Sequence, residues 1–408
     1  MKSPKLGDAS ILFFVGSTHF LIHVLSQLLP AVLPVIRSEM GLTLTQASLL
    51  ISLPLMVQVF FYLPVGFASV QHGALLLTLS LVLTAAGAVV IPLAGSYGII
   101  LLGFGLLGLG QTLYHPPALK VAGDTEPTNL GLAMGVQMAG GSLGSAVGPI
   151  TLGLILLAWG WRAGFYIWAP IILLGAAYSF KFMNRTMKTR VIDASQASLR
   201  SVSRSLLNRG FVLVVALSAI LEASSMILLT YLTSYLTGVL GLSAALASLI
   251  FGVGALLGIA GSLLGGVMGD KFGRYRSIIL VMALMAVSVA LIPVFSSLVL
   301  VALFFVIWRG LNSASMPLMN TLVVSHSEPQ TRAMAFSVNF LVSSLANAIV
   351  PVAASIAIEG RLGAIFPISF LTLLPGIALA IYIGRLSKRE GNSREETLGG
   401  EDPDNRSA

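Results

Sequence analysis

Gly266-Val267-Met268-Gly269-Asp270-Lys271-Phe272-Gly273-Arg274-Tyr275-Arg276 sets four charges and three glycines between two long apolar runs. Two hundred residues earlier, the chain reads Gly66-Phe67-Ala68-Ser69-Val70-Gln71-His72-Gly73-Ala74-Leu75-Leu76. Gly66 and Gly73 stand in register with Gly266 and Gly273, while the charged positions have become neutral or weakly basic. The pair marks an internal duplication with one eroded copy. The offset continues outward: Pro117 answers Pro317, Ala133 to Gln137 answers Ala335 to Asn339 after a slip of two residues, and Pro149 answers Pro351.

The material being duplicated is membrane protein. Of 408 residues, 56% are hydrophobic and 9% are charged, with a mean hydropathy of +0.94. That much apolar surface exceeds what a soluble core can enclose. The runs approach the ~20 residues that a helix needs to cross a ~30 Å hydrocarbon layer. Alternating ten-residue strands are absent, and helices or closed barrels are the structures that satisfy backbone polar groups in lipid. The expected fold is therefore all-α, with twelve spans near 10–35, 45–70, 73–94, 97–119, 130–157, 162–183, 210–236, 243–268, 277–295, 298–322, 333–357 and 363–384. They divide into an N-terminal six-helix bundle (1–183), a basic linker (184–209), a C-terminal six-helix bundle (210–384) and a polar, acidic tail (385–408) expected to be disordered.

Charge placement gives the orientation. With both termini in the cytoplasm, Arg37, Arg162 and Arg361 are the basic residues that fall outside, Arg309 lies within a span, and the rest of the 23 Lys and Arg lie inside. The positive-inside rule then predicts a multi-pass protein of the cytoplasmic membrane with cytoplasmic ends. The net charge of +8 is explained by that bias and not by a nucleic-acid partner. The first run lacks a small-residue cleavage site and reads as an uncleaved span. With no cysteine there is no disulfide framework, thiolate site or cysteine nucleophile. No nucleophile–base pair or metal cluster is legible, so neither an enzyme, a metal site nor a cofactor is expected.

Polar groups inside the spans carry the functional reading, because an ionisable side chain in hydrocarbon is costly unless paired or wetted. Glu222 in the seventh span and Arg309 in the tenth lie at similar depth, ~17 Å from their span ends at 1.5 Å per residue. Glu222 shares a face with Ser218 and Ser225, and Arg309 with Asn312, Ser313 and Asn320. The first span aligns His19, His23 and Gln27, and the fourth Gln111 and His115. These stripes are expected to face one aqueous cavity, with Glu222 and His23 as proton-coupling groups. Arg309, His19, His23, Gln27, Gln111, His115 and Asn312 are the expected substrate contacts. Plainer readings stand beside these: a neutralising Glu222–Arg309 pair, core histidines at 19 and 23, and local packing for His115 before Pro116-Pro117. His72 and His326 read as solvated loop residues. Tyr114, Phe20, Tyr231 and Trp308 would suit an amphipathic ligand, though aromatics on apolar helices are more often core or lipid-facing.

In the fifth span, Gly144, Gly148 with Pro149, and Gly153 offer a flat face and a bend. With these residues the chain resembles the major facilitator superfamily over almost its whole length. Gly266 to Arg276 is similar to the family's cytoplasmic loop motif, and Gly144 to Gly153 to its antiporter motif. His19-Phe20, Leu29-Pro30, Leu33-Pro34, Tyr114-His115-Pro116 and the Gly140-Gly141 to Pro149 run are similar to fosmidomycin-resistance-like exporters. The chain departs from that pattern in having His23 where the subfamily has an acid, an uncharged Val70–Ala74 loop, and Phe104 in place of a fourth-span arginine.

The resemblance implies a monomeric secondary transporter, a proton antiporter exporting a small amphipathic or anionic molecule by alternating access. Alternatives are a symporter or facilitator importing an organic anion or sugar, and a non-transporting receptor or scaffold. It also implies a conformational gate at Gly266, Asp270, Lys271, Gly273, Arg274 and Arg276, a motif that in the family latches the halves together. Because only the second copy keeps its charges, Asp270→Asn is expected to impair transport strongly, and Gln71→Ala or His72→Ala to do little. Transport assays of the three variants would refute this asymmetry if the losses were equal.

Overall fold

The structure, a computed structural model, describes residues 6–125, 130–186, 208–295, 297–327 and 332–399. Twelve helices are long and apolar enough to cross a bilayer: Ala9–Glu39, Leu44–Gly66, His72–Leu93, Tyr97–Ala118, Val136–Leu156 and Gly160–Met183 in the N-terminal half, then Arg209–Gly238, Ala244–Phe272, Arg274–Val294, Leu298–Val323, Ala335–Ile358 and Leu362–Ser387 in the C-terminal half. They are numbered below as spans one to twelve.

The duplication extends to helix starts. Thr43 opens span two with a capping box, its hydroxyl accepting from the Gln46 amide while the Gln46 side chain accepts from the Thr43 amide. Ser243, at the same offset of 200 residues from Thr43, caps span eight by accepting from the Leu246 amide at 3.2 Å. Each cap satisfies one of the donors orphaned at a helix start, worth about 1 kcal/mol.

The two copies of the opening motif fold differently. At the intact copy, span eight ends at Phe272, Gly273 takes φ +85°, and span nine begins at Arg274. That left-handed backbone region favours glycine. At the eroded copy the helix runs on from Leu44 to Leu93, interrupted only at His72 with φ −120° and ψ 21°. The chain nevertheless reverses there, because the Tyr97 hydroxyl donates to the Gln46 carbonyl at 2.8 Å, bringing the far end of span three back to the start of span two. The expected loop is thus a single-residue break, and His72 is exposed as expected.

Most of the expected linker, residues 187–207, lies outside the described residues, as does the tail from residue 400. The twelfth helix continues past its span to Gly399, so residues 385–399 are helical where composition predicts disorder. Lys388, Arg389, Glu390, Arg394, Glu395 and Glu396 are good helix formers that extend an already nucleated helix at little cost. His326 also differs from its expected solvated state. It is half-buried, its Nε2 lies 3.1 Å from the Tyr275 hydroxyl, and its carbonyl accepts from Asn208, the cap of span seven.

The halves meet chiefly at the end remote from the termini. There Thr233 donates to the Pro30 carbonyl at 2.5 Å, Ser248 to the Ala31 carbonyl at 3.2 Å, and the Ser48 and Tyr231 hydroxyls lie 2.5 Å apart. Glu359 accepts from Arg37 and from the Leu44 amide, each at 3.3 Å. The Thr45 and Ser355 hydroxyls lie 3.0 Å apart. Arg37 and Glu359 are 32% and 45% exposed, so their ion pair contributes at most about 1 kcal/mol. The buried hydroxyl–carbonyl bonds supply more of the seal. Nearer the terminal end, Ser344 donates to Gln58 at 3.5 Å and Tyr62 stacks on Phe340.

A remote end closed in this way can be locked. In this cysteine-free chain, Thr45→Cys with Ser355→Cys should form a disulfide under mild oxidation and abolish transport until reduced. Thiol labelling that finds both cysteines free after oxidation would contradict the closed contact.

Candidate functional site

Small residues bring the helices close enough to place the polar groups. A Cβ at Gly140, Gly144 or Gly148 in span five would collide with the carbonyls of Gly16, Phe20 and Val24 respectively in span one. Three glycines at intervals of four thus lay one helix backbone on another, as expected of small-residue interfaces in lipid. Gly141 sits against the His19 ring and Gly144 against the His23 Cβ, so this interface also fixes the two imidazoles. Gly153 belongs to a different contact, facing Ala245 and Leu249 of span eight in the other half. The motif read as one flat face therefore serves two interfaces.

The polar stripes meet pairwise, one pair within each half. In the N-terminal half, His19 and His23 of span one gather with His115 of span four, their ligand-capable nitrogens all within 4.8 Å of one another. His19 is 4% exposed, and its Nδ1 lies 2.7 Å from the Gln137 carbonyl. A carbonyl only accepts, so Nδ1 carries the proton and Nε2 presents a lone pair. That Nε2 is buried without a partner. The His19 ring stacks on Tyr114, with ring centres 5.4 Å apart, and the Tyr114 hydroxyl donates to the Val15 carbonyl at 2.7 Å. The Nδ1 of His23 lies 3.5 Å from the Ser145 hydroxyl. Such a grouping of imidazoles is not legible in the sequence. His115 is far from His19 and His23 in sequence, so the cluster appears only when spans one and four pack.

In the C-terminal half, Glu222 and Arg309 are half-buried at matching depth. They interact electrostatically, yet no direct salt bridge joins them among the described residues. Glu222 instead accepts from Asn347 of span eleven at 3.3 Å. Arg309 donates to Asn312 at 3.4 Å, and Asn312 donates to Ser225 of span seven at 2.6 Å. The Arg309 Nε is buried and unpartnered. The two groups are therefore held separately, without the direct contact that the plainer reading of a neutralising pair describes.

Gln111 accepts from Gln58 of span two at 3.1 Å, and the Gln58 carbonyl oxygen accepts from Tyr62 at 3.3 Å and from Ser344 of span eleven at 3.5 Å. This relay crosses between the halves. Gln58, Ser344 and Asn347 escape a reading restricted to spans one, four, seven and ten. For Asn347 the signal was present in span eleven, where Asn339, Ser343 and Asn347 recur every four residues. Gln27 is half-buried on the face expected for it. Tyr114, Tyr231 and Trp308 are fully buried and serve as core, while Phe20 is half-buried and packs against Trp168.

At the motif that opened the sequence analysis, Asp270, Lys271, Arg274 and Arg276 are exposed. Arg274 donates to the Thr321 carbonyl within its own half at 3.5 Å, and Ser277 to the Met268 carbonyl at 2.8 Å. Among the described residues, Asp270 has no charged partner within salt-bridge distance. Across the bundle, Gly66 of the eroded copy has nothing near the position of a Cβ.

Twelve spans in duplicated halves, with polar groups gathered where the halves face one another, describe a membrane carrier. The family model of the Major Facilitator Superfamily matches residues 15–351, and the chain belongs to that superfamily. It is a multi-pass membrane transporter and not an enzyme. The chain is 27% identical over 269 residues to the fosmidomycin resistance protein of Escherichia coli (strain K12), an alignment that covers 65% of this chain and 66% of the relative, just under two thirds of its length. To the uncharacterized MFS-type transporter YfnC of Bacillus subtilis (strain 168) it is 24% identical over 309 residues, covering 74% of this chain and 75% of the relative. Its fold matches the solved structure of a bacterial homologue of the human lysosomal transporter Spinster, in an inward-facing and occupied conformation. That match has a TM-score of 0.75 and 17% identity, covering 94% of this chain and 98% of the other.

The glycine interface gives a stability test. Gly144→Ala forces a Cβ onto the Phe20 carbonyl, an overpacking that costs about 1–3 kcal/mol. Gly66→Ala meets open space and gains helix propensity. Thermal unfolding of the detergent-purified variants should show a lowered apparent Tm for the first and none for the second; equal values would show that the close approach is dispensable.

Proposed function

We propose that this transporter is a proton-coupled antiporter of the cytoplasmic membrane that exports a small anionic or amphipathic molecule by alternating access, with both termini in the cytoplasm. The observation that carries the reading is the separation of Glu222 from Arg309. Glu222 is held only by a neutral amide, and Arg309 keeps a buried donor unpartnered. One is free to take and release a proton, and the other to bind an anion.

The two events are coupled by charge. A substrate anion on Arg309 offsets the positive field felt by Glu222, and a proton on Glu222 leaves Arg309 without a nearby anion, so charge alone makes the two bind together, as co-transport requires; exchange additionally requires that the carrier reorients with one of them bound and not with both. Each occupancy therefore alters the cost of the other. His23, expected as a second titrating group, stands among two other imidazoles and is assigned to binding. Gln27, Gln111 and Asn312 line the same faces and complete the substrate contacts.

The conformational cycle follows from where the halves touch. Closure at the remote end, with Asp270 lacking a charged partner, matches a state open toward the termini. The motif from Gly266 to Arg276 then acts as the latch of the opposite state, and the Arg37–Glu359 pair as a weak clasp that yields during switching. The export direction draws support from the fosmidomycin resistance relative. Import of an anion by symport uses the same Arg309, and the sign of solute movement under an imposed gradient separates the two.

Inverted vesicles test the assignment, with fosmidomycin and then other anionic antibiotics as probes. Wild type should accumulate substrate when the lumen is acidic. Glu222→Gln should lose gradient-driven accumulation but keep exchange of labelled for unlabelled substrate. Retained accumulation in Glu222→Gln would sink Glu222 as the proton carrier.

A further inference from the structure

The histidine cluster in the N-terminal half is more specific than a general polar surface. We propose that His19, His23 and His115 form a binding site for a divalent transition-metal ion of the Zn2+ class, with a fourth position left for an oxygen of a small anion. The metal site stands on the geometry alone; the identification of the anion with the transported molecule rests on the antiporter reading above.

Ligand spacing is the first argument. His19 and His23 are four residues apart, which places them on one helical face one turn from each other, the spacing by which paired histidines hold zinc. His115 reaches the same point from span four, and the candidate nitrogens lie within 4.8 Å of one another. At a Zn–N distance of about 2.0–2.1 Å, a tetrahedral site needs donors about 3.3 Å apart. Rotation of the His23 and His115 rings about the fixed His19 ring closes that gap, since the imidazoles lie edge to face with centres 4.6, 5.3 and 5.6 Å apart.

The second argument is the orphaned lone pair. His19 donates its Nδ1 proton to the Gln137 carbonyl and turns an unpartnered, buried Nε2 inward. A metal-ligating histidine characteristically donates its other ring nitrogen to a carbonyl or carboxylate, which fixes the tautomer and the ring orientation. The packing of Gly141 and Tyr114 against the same ring holds it there. A histidine serving only as core would leave a buried acceptor unsatisfied. Imidazole donors suit zinc, copper, nickel and cobalt and disfavour magnesium or calcium.

Charge supplies the fourth ligand. The chain has no acidic residue between Asp8 and Glu39, or between Glu39 and Asp124. Three neutral imidazoles leave a dication uncompensated inside the membrane, which is prohibitive without a counter-charge. An anion must therefore enter with the metal, and an oxygen ligand in the open position neutralises part of its charge. Three histidines plus one exchangeable ligand is an arrangement zinc readily adopts.

The test uses full-length protein purified through a histidine-free tag and titrated with Co2+, whose visible absorption reports tetrahedral coordination. The expected result is one Co2+ per chain, displaced by Zn2+, with the band lost in His19→Ala and in His115→Ala. Inorganic phosphate should shift the band by taking the fourth position. Absence of a stoichiometric tetrahedral band in wild type overturns the metal site without reference to any variant's folding. So does a band that survives the double change His19→Ala with His115→Ala. A band insensitive to phosphate and to other small anions overturns the fourth-ligand assignment. Glu222→Gln should bind Co2+ normally, so failure of the antiporter reading and failure of this site are separately visible.

Discussion

Backbone laid on backbone through glycine is the contact on which the rest of the structure depends. In lipid there is no hydrophobic drive to press apolar helices together, so packing and close approach must supply the cohesion. Gly140, Gly144 and Gly148 bring span five onto span one, and Gly261 and Gly265 bring span eight onto the carbonyls of Gly310 and Ala314 in span ten. Each half is thereby a firm body with its polar groups fixed on its inner face. Firm halves are what alternating access requires, because the motion then lies between them rather than within them.

Between the halves the cohesion is of another kind. Hydroxyls reach backbone carbonyls, and among the described residues a single half-exposed ion pair, Arg37 with Glu359, joins the halves. Such bonds contribute on the order of 1 kcal/mol each and exchange readily for water. The difference between glycine packing inside a half and hydrogen bonds across the interface sets which surface parts first. Each half also holds its own chemistry, three imidazoles in one and a separated carboxylate and guanidinium in the other.

The fold was legible because hydropathy and a repeat offset are one-dimensional signals. Capping residues Thr43 and Ser243 even carried the offset to the start of a helix. What the sequence could not convey was contact between distant spans. Glu222 and Arg309 stood out as charges in hydrocarbon, but whether they touched depended on Asn347 and Asn312, neutral residues without a charge to draw attention. His115 looked like a neighbour of a proline kink until span four was seen against span one. Gln58, lying in a span with no charge and no stripe, was silent, although it links Gln111 to Ser344 across the halves.

The unequal copies of the opening motif have a mechanical consequence. At Gly273 the chain turns through a conformation that stops the helix, and the Ser277 hydroxyl donates back across the turn to the Met268 carbonyl. At His72 the helices are interrupted by one residue whose φ remains negative, a backbone conformation open to any side chain. A side chain at position 273 would strain the turn, while position 72 already carries one without strain, so the two copies of this duplicated turn differ in what holds them bent.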